Sequence, residues 1–362
     1  VGLVKTLSIT DVAERVVELY PSTRFPYRSV INLGSGFSES ERAFFSAPFD
    51  RTVEPRLYLL RDILYDLETG ALFHDGQLLA EFASNPDLMA RIGRSGPKPL
   101  LRLDADNWVV VGCNSQSSLY YHWLLQDLPA LVHGAAAAPG SPLLLCPVLS
   151  AVQSTCLELL DLMALPRVEA KLNYQYYIPR AVFSDFHLGA TLFQVSIAAR
   201  QTFAELRRRA PRSLTPTKFY VSRAGARYRN VLNESALHPI LRSFGYDIVC
   251  LERLPLLTQI NLFGNARCIV APHGGGLANL VFATRHALLF EQLGEGWINP
   301  CFNVLAKASR MTYWGDVFQA DSQAASVMLA NMIIDPEAFR ETLMWIEAYE
   351  KNSAEMDKLD DL

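Results

Sequence analysis

From Lys218 onward the chain alternates short apolar runs with amphipathic stretches, and this grammar confines it to a parallel, doubly wound α/β sheet. Lys218 to Ser222 reads as a strand, and a polar, basic loop follows from Arg223 to Asn233. Leu237, Leu241 and Phe244 recur at helical spacing, with Gly245 where a C-terminal cap belongs. Pro239 implies that this helix starts near Ser235 or bends. Asp247 to Leu251 is the next strand, and Leu256, Ile260 and Phe263 mark a second helix. Arg267 to Ala271 is a short buried strand. A glycine loop, a helix from Leu277 and a strand at Ala287 to Phe290 close the series.

Upstream the same alternation is looser. Trp108 to Val111 and Leu143 to Cys146 read as strands, Leu119 to Ala138 and Val148 to Met163 as helices, and Tyr176 to Phe183 as an extended run. In the first hundred residues, turn signals at Glu68-Thr69-Gly70 and His74-Asp75-Gly76 separate strand-like runs, so a small β-rich lead-in over 1–100 is expected. The segment Arg207 to Thr217 carries four Arg and two Pro and reads as a linker behind a helix C-terminus. The expected organisation is a first domain over 1–208, a second over 209–335, and a tail, 336–362. Its helix, Glu337 to Asp357, is expected to pack back on the first domain. Two Rossmann-like halves would face each other across a cleft, where open α/β sheets bind ligands at strand C-terminal ends.

Composition narrows the function classes. The chain has 362 residues, 50% of them hydrophobic, which is enough to bury a large core. Its net charge of −4 offers nucleic acid no general attraction. No unbroken apolar run reaches membrane-spanning length; the richest stretch, Leu119 to Leu149, is interrupted by His122, Asp127 and His133. Val1 to Thr10 lack the layout of a secretory leader, and the six Cys form no CxxC and read as buried, reduced thiols. The expected location is cytoplasmic, with peripheral attachment to the inner face of a membrane compatible with it.

The glycine loop Ala271-Pro272-His273-Gly274-Gly275-Gly276-Leu277-Ala278-Asn279 is the most informative segment. Three successive Gly between a strand and a helix let a ligand approach the backbone, and the helix start offers free N–H groups to an anion. A plain tight turn needs fewer glycines. An esterase oxyanion loop would require a Gly-x-Ser-x-Gly elbow, which the chain lacks, and a dinucleotide loop would require Gly-x-Gly-x-x-Gly, which the spacing does not match. Ser222 and Arg223 close the first strand of the second half, where a guanidinium can grip a diphosphate; Arg229 follows in the loop, which also reads as an ordinary solvated basic segment. Glu291, at the end of a strand, could accept ribose hydroxyls. In the helix from Leu119, Tyr120, Leu124, Leu128 and Leu131 line one face, which puts His122 and Gln126 opposite and Asp127 toward the edge. His122 near a helix start favours a neutral imidazole, as a general base must be; a solvent-exposed His without a role is the alternative. Asp104-Ala105-Asp106 spells Asp-x-Asp but precedes a strand and reads as a surface turn, and no His/Cys metal spacing exists.

Tyr220-Val221-Ser222-Arg223, Asn233-Glu234, Pro272 to Phe282, and His122-Trp123 with Asp127-Leu128-Pro129 together resemble glycosyltransferase family 61 (the DUF563 group) across residues 100 to 320. The family's usual Ala at the middle glycine is Gly275 here. The resemblance implies a GT-B fold and inverting transfer from a nucleotide sugar, with UDP-linked donors in eukaryotic relatives, and no obligatory metal or other cofactor. It also implies a bacterial branch tied to capsular or other surface polysaccharide, with an oligosaccharide or polysaccharide acceptor. On these residues it assigns donor binding to Ser222, Arg223, Arg229, His273, Gly274, Gly275, Gly276, Leu277, Asn279 and Glu291. Catalysis falls to His122, with Asp127 as the fallback base. A non-catalytic nucleotide-sugar or glycan-binding scaffold is the alternative from another class.

Overall fold

The computed structural model describes residues 7–24, 31–46, 51–83, 85–103, 106–188, 195–321, 324 and 326–360, with main chain alone for 31 and 353–360. Internal packing divides the chain into two compact units, Val1–Pro26 with Phe49–Pro211, and Tyr27–Pro48 with Arg212–Leu362. Strand β1 (Ala13–Glu18) belongs to the first unit and β2 (Ile31–Leu33) to the second. The first unit continues with β3 (Arg56–Asp66), β4 (Ala71–His74), β5 (Gln77–Leu78), β6 (Leu100–Arg102) and β7 (Val109–Val111). It also holds β8 (Leu143–Cys146), β9 (Arg167–Glu169) and β10 (Gln175–Ser184). The second holds β11 (Lys218–Val221), β12 (Asp247–Val249), β13 (Cys268–Pro272), β14 (Leu288–Gly294), β15 (Thr312–Ala320) and β16 (Met332–Ile333).

The first unit is not a doubly wound half. Its sheet runs β5-β4-β3-β10-β7-β8-β9, with β1 added on β3 and β6 on β10. β10, β7, β8 and β9 are parallel, whereas β3 pairs antiparallel with β10, β4 and β1. The lead-in strands thus complete the same sheet instead of standing apart. Gly70 and Gly76, at φ +76° and +74°, make the tight reversals that return β3 into β4 and β4 into β5. The sheet's core gathers Ile63, Tyr65, Val109, Val111, Tyr176 and Phe183.

Pressed on β7 is a helical run that differs from the expected single α-helix. Tyr120–His122 is α-helical, Trp123–Asp127 forms a π turn closed by Leu128 N–H donating to Trp123 O, and Leu128–Ala137 is α-helical again. Pro129 explains the change. Its ring carries no N–H and would clash with the carbonyl four residues back in a straight helix, and the wider turn relieves both.

The second unit has the expected alternation. β12-β11-β13-β14-β15 are parallel throughout, with β2 parallel on β15 and β16 antiparallel beyond it. Two expectations fail here. Part of the lead-in, Tyr27–Pro48, belongs to this unit because β2 extends the sheet edge at β15. The C-terminal helix, Pro336–Asp360, also packs here: Phe339, Leu343 and Ile346 form one apolar stripe buried with Tyr220, Leu237 and Phe290. The chain passes from β11 to β12 on one side and then returns to β13 on the other, so the C-terminal ends of β11 and β13 flank a topological switch point.

Candidate active site

Arg223 follows β11 at that switch point. Its Nε donates to the Arg229 carbonyl at 3.1 Å and its Nη2 to the Tyr228 carbonyl at 2.6 Å. Among the described residues no carboxylate lies within ion-pair distance of it. Burial, with the Arg229 charge adding to it, pushes the guanidinium down to about 10. Arg229 holds φ +58°, a left-handed conformation uncommon for a residue with a Cβ, and this presents its carbonyl to Arg223. The Arg229 Nη1 donates to the Met328 carbonyl at 3.2 Å, while its buried Nε has no partner. Among the described residues, the side-chain acceptors of these two cations are therefore carbonyls.

Glu234 builds the strand end beneath them. It accepts from the Tyr220 hydroxyl at 2.9 Å, the Ser222 hydroxyl at 2.8 Å and the Arg223 main-chain N–H at 3.2 Å. Ser222 Oγ also accepts from Ala224 N–H at 3.2 Å. Its hydroxyl is thus engaged in shaping the turn, not turned toward a ligand. In the sequence, Glu234 has the look of an ordinary residue opening a helix, and its three hydrogen bonds come from β11 and the turn behind it.

Across the switch point, Gly274 is required by contact: a Cβ there would fall 1.8 Å from Arg223 Nη1. Gly275 has nothing within 4 Å of such a Cβ, so the family's Ala fits. Beyond them the chain makes a 3-10 helix, Gly275–Phe282, in place of the expected α-helix. Leu277 N–H turns back to Gly274 O at 2.9 Å, and among the described residues the half-buried Gly275 and Gly276 N–H groups have no main-chain acceptor.

Three donor-site expectations change here. Leu277 is buried and its N–H is already bonded. Asn279 is fully buried, its Nδ2 donating to Gln259 Oε1 at 2.8 Å and to Gly276 O at 3.0 Å, so it fastens the turn. Glu291 is fully buried as well, and both its oxygens are taken, by His273 Nδ1 at 2.5 Å and by the Tyr313 hydroxyl at 2.6 Å. No ribose can reach it. The ring of His273 packs 4.9 Å from that of Phe302.

In the first unit, His122 Nδ1 lies 2.9 Å from Gln126 Oε1. An amide oxygen only accepts, so Nδ1 carries the proton and Nε2 keeps its lone pair. Burial lowers the His122 pKa below the usual 6.5. Gln126 is buried, not opposite the apolar face, because the π turn shifts the register of everything after Trp123. Asn114 Nδ2 reaches Gln126 Oε1 at 3.4 Å and Asp127 Oδ1 at 3.1 Å, and His187 Nε2 meets the same Asp127 oxygen at 3.0 Å. Asp127 is fully buried, its carboxyl pushed up by desolvation. Sealed from solvent, it cannot touch an acceptor hydroxyl, which removes the expected fallback base. Asn114 and His187 carried no local sequence signal; only the fold brings them to Asp127.

Among the described residues no three His, Cys, Asp or Glu side chains gather as a metal site needs, and Asp104 lies outside those residues. No described helix is long and apolar enough to cross a membrane. All six cysteines are free thiols, five of them buried.

The parallel sheet and its switch point define a doubly wound α/β unit that brings Arg223, Arg229 and the glycine turn to one edge. Residues 120–289, from the His122 helix into β14, match the family described as Glycosyltransferase 61. A 97-residue stretch, 26% of the chain, is 39% identical to the EGF domain-specific O-linked N-acetylglucosamine transferase of Drosophila melanogaster. The match covers 18% of that relative's length.

Proposed function

We propose that this protein is an inverting glycosyltransferase that moves a sugar from a nucleotide-sugar donor, UDP-linked, to a glycan acceptor. The observation that carries this is Arg223: a half-buried guanidinium packed against Gly274 that has, among the described residues, no carboxylate within ion-pair distance and lies beside two N–H groups without main-chain acceptors. A charge desolvated in this way is costly unless an anion arrives to share it. A nucleoside diphosphate supplies that anion. In this reading the second unit is the donor side and the first the acceptor side of a GT-B enzyme acting in polysaccharide biosynthesis in the cytoplasm.

The reaction needs one base and one stabilised leaving group. The acceptor oxygen attacks the anomeric carbon while its proton passes to His122 Nε2. The bond from that carbon to the diphosphate breaks, and its electron pair leaves on the phosphate oxygen, facing Arg223 and Arg229. These cations supply the charge that an ion would otherwise provide, so transfer is expected without an obligatory metal. The name of the Drosophila relative points to UDP-N-acetylglucosamine as the first donor to try.

The test is a calorimetric and turnover survey of UDP-, GDP- and CMP-linked sugars. Binding with release of free nucleotide supports the transferase. Binding with no turnover against a broad acceptor library favours the scaffold alternative, and absence of any binding overturns the donor site.

A further inference from the structure

The partner of His122 Nδ1 is an amide, and an amide has two ends. Gln126 as it stands offers Oε1 at 2.9 Å, which keeps the proton on Nδ1 and the lone pair on Nε2. Turned over, the same side chain would offer its NH2 group, fix the proton on Nε2 and abolish the base. Asn114, just beyond β7, makes the choice. Its Nδ2 lies 3.4 Å from Gln126 Oε1 and 3.1 Å from Asp127 Oδ1, and an amide nitrogen only donates. Asn114 is itself held one way round, because its Oδ1 takes the Gln116 main-chain N–H at 2.7 Å. Its own N–H and carbonyl close on Ser117 Oγ at 2.8 and 2.9 Å. On the far side, His187 Nε2 meets the same Asp127 oxygen at 3.0 Å. The series thus starts from a main-chain N–H, a donor that cannot reverse, and each amide inherits its sense. Asp127, His187, Cys113, Cys146 and Tyr65 are the titratable groups around this network, and the Tyr121 ring stands edge-on to His122 at 5.5 Å.

We propose that Asn114 is a positioning residue that sets the tautomer of His122, acting through the Gln126 amide. As the acceptor oxygen attacks, its proton passes to His122 Nε2, and the Nδ1 proton stays where it is, donated to Gln126 Oε1. No other group gains or loses a proton. This rests on the reading that His122 is the base of the transfer, and it names what makes the ring one.

The experiment uses the full chain with 15N-labelled histidine, His122→Gln identifying the ring signals. Asn114→Ser keeps an oxygen for the Gln116 N–H and removes the NH2 group. It should convert the single Nδ1–H tautomer of His122 into a mixture and lower kcat about 10–10²-fold, with the donor KM changed far less. A carboxylate has no N–H to offer, so adding Gln126→Glu should restore the Nδ1–H tautomer and most of kcat. It should also move the His122 titration to higher pH, because a carboxylate beside the ring favours the imidazolium, and the acid limb of kcat should follow. A merely structural Asn114 would lower stability and move neither the tautomer nor the titration. An unchanged tautomer in Asn114→Ser, or no recovery in the double variant, overturns this role and leaves the transferase reading standing. Where Asn114→Ser fails to fold, Gln126→Glu alone decides, and a His122 titration that stays in place overturns the inference. If no nucleotide sugar turns over, the transferase reading falls, and the ring signals still decide on the network.

Discussion

Each unit contains a carboxylate–histidine pair, and the two pairs are finished differently. In the first, Asp127 and His187 meet at 3.0 Å with side chains 0% and 1% exposed, and Asp127 Oδ2 and His187 Nδ1 are buried without partners. In the second, Glu291 and His273 meet at 2.5 Å, but both carboxylate oxygens are satisfied and the ring retains an open nitrogen. The sealed pair can only hold something else in place, and what it holds, through Asn114 and Gln126, is His122. The open pair can meet a ligand directly. The same two kinds of group, a carboxylate and an imidazole, are thus sealed in one unit and left with an open ring nitrogen in the other. Which atom stays exposed decides between them.

The sharpest way to break this contrast is His122→Ala. If the first unit exists to present one base, turnover should fall about 10²–10⁴-fold while nucleoside diphosphate affinity stays near wild type. Calorimetry beside steady-state kinetics reads both. A base must be deprotonated, and burial lowers the His122 pKa, so the acid limb of kcat should lie below 6.5 and activity should be lost only as pH falls through it. Loss of nucleotide binding in this variant would move His122 to the donor side.

Arg223→Ala probes the other unit. A charge-assisted contact is worth about 1.5–3 kcal/mol, so nucleotide affinity should fall by roughly one to two decades, and turnover with it. Unchanged affinity would mean that the guanidinium is a strut for the 226–230 loop and nothing more.

The two units also differ in how far they could be read from the amino acids. In the second, strands of uniform direction leave a period in the sequence that a reader can follow: β11, β12, β13 and β14 fall where apolar runs place them, and Arg223 and the glycines sit together because successive parallel strands deliver their ends to one edge. The first unit hides its plan. The antiparallel pairing of β3 with β10 joins residues more than a hundred positions apart, which no local pattern encodes. Likewise the π turn follows from Pro129, a single residue whose effect reverses the burial of Gln126 and Asp127. Glu291 and Asn279 depart from the sequence expectation for a related reason. A polar residue at a strand or helix end looks available until the hydroxyl or amide that occupies it, here Tyr313 or Gln259, arrives from another element.

Asp127→Asn tests whether the sealed pair is an anchor. Losing the carboxylate leaves His187 poorly matched in a buried site, which should cost about 1–3 kcal/mol of stability by denaturant unfolding. Turnover should fall less than with His122→Ala, and nucleotide affinity should not change. A collapse of turnover as deep as that of His122→Ala, without loss of stability, would return Asp127 to the role of base.

The smallest effects should come from two adjacent glycines, and their inequality is the finest test of the second unit. At Gly274 an added methyl would sit 1.8 Å from Arg223 Nη1, so Gly274→Ala must displace the guanidinium, and nucleotide affinity should drop about tenfold, approaching the Arg223→Ala value. At Gly275 the same methyl meets nothing within 4 Å, and the backbone there has no left-handed φ to forbid it. Gly275→Ala should leave affinity within about threefold. It should also stabilise the fold by roughly 0.4–1 kcal/mol, because the unfolded chain loses freedom that the folded turn never used. A larger loss at Gly275 than at Gly274 would mean that a ligand lies against the Gly275 Cα itself, and the anion would then have to be placed over the turn instead of beside Arg223.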